Sequence, residues 1–237
     1  MKPSENLKNT YSILKNEYWI PTPLLPSRIG KHLNSEIWLK REDCSPIGSF
    51  KLRGGLTAMS SNKSSIANRS VYVASAGNYG LAIAEAGRRY DVAVTVFVSN
   101  NANPSKIRCI LETGAQVVHH GDDFDSAKEF GKMAAIKDNA DFWEDGVVPE
   151  MAYGAATIAD ELMNSNINWD TVLVPIGNGS LIKGVASVLK EIKPSIKIIG
   201  LVTSGAPVMQ KAITGQPFDI NQPTKTEADG LEVRIPI

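Results

Sequence analysis

The sequence predicts an α/β fold in which two lobes each contain an open parallel sheet flanked by helices. The first observation is that strand-like and helix-like segments alternate from about Val71 onward. The second is the run 92–99, which is nearly continuously apolar and β-branched, as in strands buried on both faces. The third is an irregular stretch at 145–149, after which the alternation resumes. At 237 residues, the chain is long enough for two such lobes.

Each element follows from its own local pattern. Pro104 begins a helix that Gly114 ends, which is the usual arrangement of these two residues. Repeated βα units favour parallel strands joined by right-handed crossovers. Strands are predicted at 71–74, 92–99, 116–119, 171–176 and 196–202, and helices at 81–90, 104–113, 123–137, 153–163 and 181–192. We expect a small lobe at 69–147 and a large, discontinuous lobe at 1–68 and 148–237.

Composition excludes several classes of function. The formal net charge is zero, so no broad basic surface is expected for nucleic acid or an anionic membrane. The apolar run 92–98 is too short to span a bilayer, and residues 1–15 lack the apolar core of a secretory signal. Two cysteines make no disulfide framework and favour a cytoplasmic protein. No metal site is expected, because the three histidines lack ligand spacing.

The segment 40–55 contains a candidate reactive lysine. The turn-rich stretch 45–48 leads into Phe50 and Lys51, where a helix is predicted to begin. A lysine at a helix start beside an aromatic ring can be partly desolvated, which lowers its pKa and frees the amine for covalent chemistry. The alternative is a solvated surface lysine. Nearby Cys44 is expected to be a small buried residue.

Two later segments place a small-residue turn between a strand and a helix. In 71–80, backbone N–H groups and the Asn78 amide can bind an anion such as a carboxylate. In 172–184, a Gly-Asn-Gly-Ser turn precedes a helix, which suits a phosphate. This turn is neither a Rossmann nor a Walker motif, because Ile182 replaces the third glycine and Lys183 lies beyond the turn. Turns that merely pack a helix are the alternative for both segments.

The order of these three segments resembles that of the fold type II (tryptophan synthase β-like) pyridoxal-phosphate (PLP) enzymes. Within that family the chain is most similar to threonine/serine dehydratases. The similarity is carried by Lys-Arg-Glu-Asp at 40–43, Ser-Phe-Lys-Leu-Arg-Gly at 49–54, Ala-Ser-Ala-Gly-Asn at 74–78 and Ala-Asp-Gly-Leu-Glu-Val-Arg at 228–234. It extends from about Pro21 to the last residues.

The resemblance implies a role for each matching residue. Lys51 is expected to bind PLP covalently and to remove the substrate α-proton. The expected cofactor-binding residues are Lys51, Phe50, Asn78, Gly177, Asn178, Gly179, Ser180, Leu181 and Gly230. The expected substrate-binding residues are Ser75, Ala76, Gly77, Asn78 and Tyr79.

Several residues depart from the family pattern. Asn178 and Ser180 stand in a turn that usually contains four glycines, and Tyr79 stands where histidine is usual. Ala76 replaces the serine that acts as a base in serine racemases, which disfavours racemisation. Val202 replaces a glutamate near a cation site, which weakens any expectation of metal activation.

The resemblance implies PLP-dependent β-elimination from a small β-hydroxy or β-substituted amino acid such as threonine or serine. A β-replacement synthase is one alternative, and a non-catalytic subunit or remnant that binds PLP or an amino acid is another. Family members continue beyond the segment 228–234, so we expect an incomplete large lobe, and hence a homodimer or other oligomer. Glu144, Asp145 and Glu150 are interpreted as a solvated loop rather than an acidic site.

Overall fold

The computed structural model describes residues 2–17, 19–220, 222 and 224–236. Its helices are α1 (Leu7–Asn16), α2 (Lys51–Ser61), α3 (Asn78–Tyr90), α4 (Pro104–Glu112), α5 (Phe124–Lys137), α6 (Glu150–Met163), α7 (Ser180–Ile192) and α8 (Val208–Ile213). Its strands are β1 (Leu24–Pro26), β2 (Trp38–Lys40), β3 (Val71–Ala74), β4 (Val94–Val98), β5 (Gln116–His119), β6 (Asp141–Trp143), β7 (Thr171–Pro175) and β8 (Lys197–Leu201). The predicted α/β class, with parallel strands flanked by helices, is confirmed.

A four-stranded parallel sheet has the order β5-β4-β3-β6. Strand β4 is buried along its whole length, as its β-branched sequence predicts. On β4, Val96 lies against Gly80 of α3, while the next residue, Phe97, lies against Gly131 of α5. Because successive strand residues point to opposite faces, α3 and α5 cover the two faces of this sheet.

Strands β7 and β8 form a second, two-stranded parallel sheet. Val174 of β7 packs in a cluster with Val185, Val188 and Leu189 of α7. The register pairs Leu173 with Ile199, so the side chains of these two residues lie on the other face. This sheet is therefore covered by α7 on one face.

The helices α3, α2, α6 and α7 pack in succession, and glycines stand at their closest approaches. A Cβ at Gly55 of α2 would lie 2.7 Å from the backbone of α3. A Cβ at Gly154 of α6 would lie 2.3 Å from the Gly54 nitrogen of α2. A Cβ at Gly184 of α7 would lie 2.3 Å from the backbone of α6. Helix α2, which begins at Lys51, is thus held between both sheet-bearing parts of the molecule.

Some local expectations were incomplete. The pattern did not identify α1, α8 and β6, or β1 and β2, which pair in an antiparallel manner. Cys44 was expected to be buried, but its side chain is exposed because it ends a short 3-10 turn at the surface. No helix in the described part of the chain is long and apolar enough to cross a membrane.

Candidate active site

Lys51 is the first residue of α2, and the turn before it is fixed by serine hydroxyls. The Ser45 Oγ accepts a hydrogen bond from the Ser49 N–H (2.8 Å) and donates one to the Ser49 carbonyl (2.7 Å). The Ser49 Oγ then accepts one from the Lys51 N–H (3.2 Å), which would otherwise be an unpaired donor at the helix start. These bonds set where the Lys51 side chain leaves the backbone.

A buried ion cluster holds the first turn of α2 in place. The Arg53 guanidinium is wholly buried and forms paired hydrogen bonds with the carboxylates of Glu42 and Glu161, at distances from 2.5 to 3.0 Å. Lys40 adds a second ion pair to Glu161 (2.5 Å), and the Trp19 ring lies 4.6 Å from the guanidinium. This cluster accounts for the Lys40 and Glu42 positions of the 40–43 segment. Through Glu161, the cluster links α2, the helix that carries Lys51, to α6. Through Glu42, it links α2 to the short 3-10 turn that precedes this helix.

The Lys51 ammonium is bound by a carboxylate from a distant part of the chain. Its Nζ lies 2.7 and 2.6 Å from the two carboxylate oxygens of Asp145. It also lies 5.5 Å from the centre of the Phe50 ring and 5.6 Å from that of Tyr79. The interpretation of Lys51 as a solvated surface lysine is therefore wrong.

The expectation of a solvated loop at 144–150 is also wrong for Asp145. The Asp145 side chain is only 19% exposed, because its carboxylate turns inward to Lys51. Glu144 pairs instead with Lys128 and Lys132, each at 3.3 Å. Sequence reasoning missed Asp145 because its partner lies 94 residues away.

The turn 75–79 reaches the lysine through Tyr79. Tyr79 is 3% exposed, and its hydroxyl has no hydrogen-bond partner among the described residues. Burial raises the pKa of this phenol well above its ordinary value, and the charges of Asp145, Glu144 and Glu150 raise it further. The hydroxyl therefore stays protonated and can donate a hydrogen bond.

The rest of that turn lies at the end of β3 and the start of α3. The Ser75 Oγ accepts a hydrogen bond from the Gly77 N–H (3.2 Å). A Cβ at Gly80 would meet the Ser75 carbonyl at 2.0 Å, so a glycine is required for the turn to fold back. Ser75, Ala76 and Gly77 are half-buried, and Asn78, the first residue of α3, is exposed. These residues share the turn with Tyr79, which is the member in contact with Lys51.

The turn after β7 offers free donors at the start of α7. The backbone N–H groups of Gly177, Asn178, Gly179 and Ser180 have no acceptor among the described residues. Gly179 has φ +88°, a left-handed conformation that lets the N–H groups converge. Together with the helix start, such free donors can bind an anion. Leu181 follows within the first turn of α7.

Two contacts connect this turn to the other parts of the site. The Asn178 Nδ2 donates to Asp145 Oδ2 (3.1 Å), the same oxygen that lies 2.6 Å from Lys51 Nζ. A Cβ at Gly177 would lie 2.8 Å from the Gly230 carbonyl, so the C-terminal segment closes against the turn. Beside Gly230, Asp229 forms an ion pair with Lys106 of α4.

The arrangement therefore combines an aromatic-flanked lysine, a turn with free N–H groups and a second strand-end turn. Residues 16–237 match the family described as pyridoxal-phosphate dependent enzymes. The chain belongs to this family. PLP is the family's cofactor, so the expected cofactor is confirmed, as is the resemblance to fold type II enzymes.

Relatives in the family have names that concern threonine and serine. The chain is 31% identical over 232 residues to the L-threonine ammonia-lyase of Thermotoga maritima, covering 98% of this chain and 58% of that protein. It is similar to the solved structure of threonine deaminase isoform 2 from Solanum lycopersicum, with a TM-score of 0.89, 29% identity, and coverage of 99% of this chain and 68% of that one. It is also similar to maize serine racemase, with a TM-score of 0.90, 25% identity, and coverage of 98% and 70%. The chain spans about half the length of the curated relatives that it matches.

The residues present fit the family's cofactor. The free N–H groups at 177–180 suit a phosphate. Lys51 lies near this turn, because its amine and the Asn178 side chain both bind the Asp145 carboxylate. The ring centres of Phe50 and Tyr79 lie 5.5 and 5.6 Å from the Lys51 amine, so a planar aromatic group bound there would have aromatic neighbours. The Lys51 amine that would hold the cofactor is the one that pairs with Asp145, so this ion pair lies at the cofactor-binding position.

Proposed function

We propose that this chain is a PLP-dependent lyase that carries out β-elimination on a small β-hydroxy or β-substituted amino acid such as threonine or serine. The observation that carries the proposal is that the Asp145 carboxylate contacts both the Lys51 amine and the Asn178 side chain, which places the lysine beside the turn with free N–H groups at 177–180. The names of the relatives, threonine ammonia-lyase and threonine deaminase, support this substrate class.

In this proposal the turn 177–181 and Gly230 hold the cofactor, and Asn78 binds its ring hydroxyl. When bound, PLP stabilises negative charge that develops at the substrate Cα. Ser75, Ala76, Gly77, Asn78 and Tyr79 receive the substrate carboxylate through their backbone N–H groups at the start of α3, where such donors favour an anion. Lys51 accepts the α-proton, an acid–base contribution of about 10²–10⁴-fold in rate. The buried Arg53 cluster keeps Lys51 in position.

The proposal also covers the division into lobes, the oligomeric state and the location of the protein. Residues 69–147 form a small lobe, and 1–68 with 148–237 form the large PLP-binding lobe. The protein acts as a homodimer or other oligomer in the cytoplasm, without nucleic acid or a membrane as partner. Two free cysteines, both exposed, support a reducing compartment.

The test is a near-visible absorption spectrum of the protein with added PLP, compared with Lys51→Ala. We expect a band that borohydride traps on the peptide containing Lys51 and that the variant lacks. Arg41→Ala is the control, because Arg41 pairs with Asp43 at the surface, away from Lys51. Serine and threonine are then assayed for keto acid and ammonia.

The outcomes separate this proposal from its alternatives. Keto acid formed without an added nucleophile supports elimination, whereas product formed only with one supports a β-replacement synthase. A trapped band without turnover of any amino acid supports a non-catalytic binding subunit. No band in the unmodified protein contradicts all three.

A further inference from the structure

The Asp145 carboxylate is mostly buried, and among the described residues Lys51 is its one cationic partner. A buried carboxylate that loses its cation is strongly unfavourable. Lys128 and Lys132 do not replace Lys51, because both pair with Glu144. Asn178 contributes one neutral donor to Asp145 Oδ2. Loss of the lysine's positive charge from this position therefore favours another cationic group beside Asp145.

The proposed function, on which this inference rests, requires that loss of charge. To accept the α-proton, the Lys51 amine must be uncharged and near the substrate Cα, so at that point it is not the cationic partner of Asp145. The Asp145 carboxylate lies 2.6–2.7 Å from the resting amine, so the inference places the substrate's β-substituent, which is attached to the carbon next to Cα, beside this carboxylate.

A second, independent observation points to a ligand at the same place. The Tyr79 hydroxyl is buried and has no partner among the described residues, and the Tyr79 ring centre lies 5.6 Å from Lys51 Nζ. A buried hydroxyl without a partner is costly in the free protein and becomes favourable when a ligand satisfies it. A tyrosine hydroxyl can accept a hydrogen bond as well as donate one, so it can bind an ammonium.

We infer that Asp145 and Tyr79 form a subsite for an ammonium group on the β-carbon of the substrate. The preferred substrate class is then an amino acid with a β-ammonium group rather than a β-hydroxyl. An ionised carboxylate only accepts hydrogen bonds, so it suits an ammonium through charge-assisted bonds. It cannot supply the proton that a departing hydroxide requires.

The elimination balances for such a substrate. The α-proton passes to the Lys51 amine, and the Cβ–N bond breaks with its electron pair remaining on nitrogen. The departing group is neutral ammonia, because the ammonium already carries the extra proton. The released enamine takes up water and yields a keto acid and a second ammonia. A β-hydroxy amino acid yields one ammonia per keto acid.

The first test compares kcat/KM for L-2,3-diaminopropionate and L-serine in the unmodified protein, Asp145→Asn and Glu144→Gln. We expect the diamino acid to be preferred, with two ammonia per pyruvate. Asp145→Asn keeps the shape but removes the charge, and should lower this preference by about 10- to 100-fold. Glu144→Gln removes a neighbouring charge whose partners lie outside the subsite, and should retain the preference.

The second test measures binding without turnover. Lys51→Ala and Lys51→Ala/Asp145→Asn, both loaded with PLP, are titrated with the same two amino acids and followed by absorption. Lys51→Ala should bind the diamino acid at least about tenfold more tightly than serine, and the double variant should lose this difference. Circular dichroism confirms that each variant is folded.

Equal affinities in Lys51→Ala, or an unchanged preference in Asp145→Asn, would overturn the inference. If the protein turns over serine and a band is trapped at Lys51, but the diamino acid is not preferred, the subsite is contradicted and the proposed function is not. The absence of that band contradicts the proposed function itself.

Discussion

Arg53 is the side chain on which the geometry around Lys51 most depends. It is wholly buried and neutralises Glu42 and Glu161 from two different segments. Arg53→Met keeps much of the volume but leaves both carboxylates without this partner, so we expect a loss of about 3–5 kcal/mol in the free energy of unfolding. Urea denaturation measures this loss. Arg88→Met is the control, because Arg88 lies at the surface and pairs within its own helix; an equal loss in both variants would contradict the prediction.

The same cluster predicts how stability depends on pH. Burial raises the pKa of Glu161, but hydrogen bonds and charges from Arg53 and Lys40 outweigh it and hold this pKa below its ordinary value of 4.5. A carboxyl whose pKa is lower when folded stabilises the protein above its unfolded pKa. That stability is lost as pH falls through the folded value.

We therefore expect the denaturation midpoint to fall on acidification below about pH 4.5. Glu161→Gln should be less stable at neutral pH and should lose less stability on acidification. Urea titrations at several pH values measure both. Parallel pH profiles for the two proteins would assign the acid sensitivity to other groups.

At the residue scale, sequence reasoning identified the candidate lysine but not its partner. Lys51 and Phe50 are adjacent, so their proximity is evident from the sequence. Asp145 lies 94 residues further on, and a surface loop with three acidic residues has no local sign that one of them turns inward. The short hydrogen bonds of Asp145 with Lys51 and Asn178 exist only because α2, the 144–149 loop and the 177–180 turn meet.

The element scale is dominated by the contact between α2 and α6. A Cβ at Gly154 would lie 2.3–2.6 Å from backbone atoms of Arg53 and Gly54. These atoms cannot move aside as a flexible side chain would, so Gly154→Ala must separate the two helices. We expect a loss of about 3 kcal/mol in the free energy of unfolding, because overpacking of this kind is not relieved by a rotamer change.

The variant should also weaken cofactor binding, because Lys51 stands at the start of the displaced helix. The dissociation constant for PLP, followed by the lysine-bound absorption, measures this effect. Unchanged stability together with an unchanged dissociation constant would show that α2 and α6 have room for a methyl group.

Elements with strong apolar periodicity or clear end signals were predicted well. The strand at 71–74 and the helix begun by Pro104 appear where expected, and the 92–99 run contains β4. Helix α1 was missed because its sequence mixes charged and polar residues, and three of its residues are buried only through packing against the rest of the chain. Strand β6 has three residues, which is too short for an alternating pattern, and it exists through pairing with β3. Tertiary contacts therefore decided the elements that local patterns left undetermined.

At the scale of the whole molecule, the β7–β8 sheet is incompletely covered. Helix α7 packs on one face, whereas Leu173 and Leu201 on the other face are 55% and 41% exposed. Parallel sheets occur almost always with both faces covered, and two strands alone are marginally stable. Among the described residues this apolar sheet face lacks a covering element, and we expect a second copy of the chain to bind there.

This expectation gives a direct test of association. Sedimentation velocity over a range of micromolar concentrations should show a dimer or larger oligomer, and Leu173→Lys should shift it toward monomer because the charge would be buried in the contact. Ile136→Lys is the control, since Ile136 is equally apolar and more exposed but lies on α5, away from β7–β8. A monomer at all concentrations would mean that this face stays in water. Equal dissociation in both lysine variants would instead mean that association uses another surface.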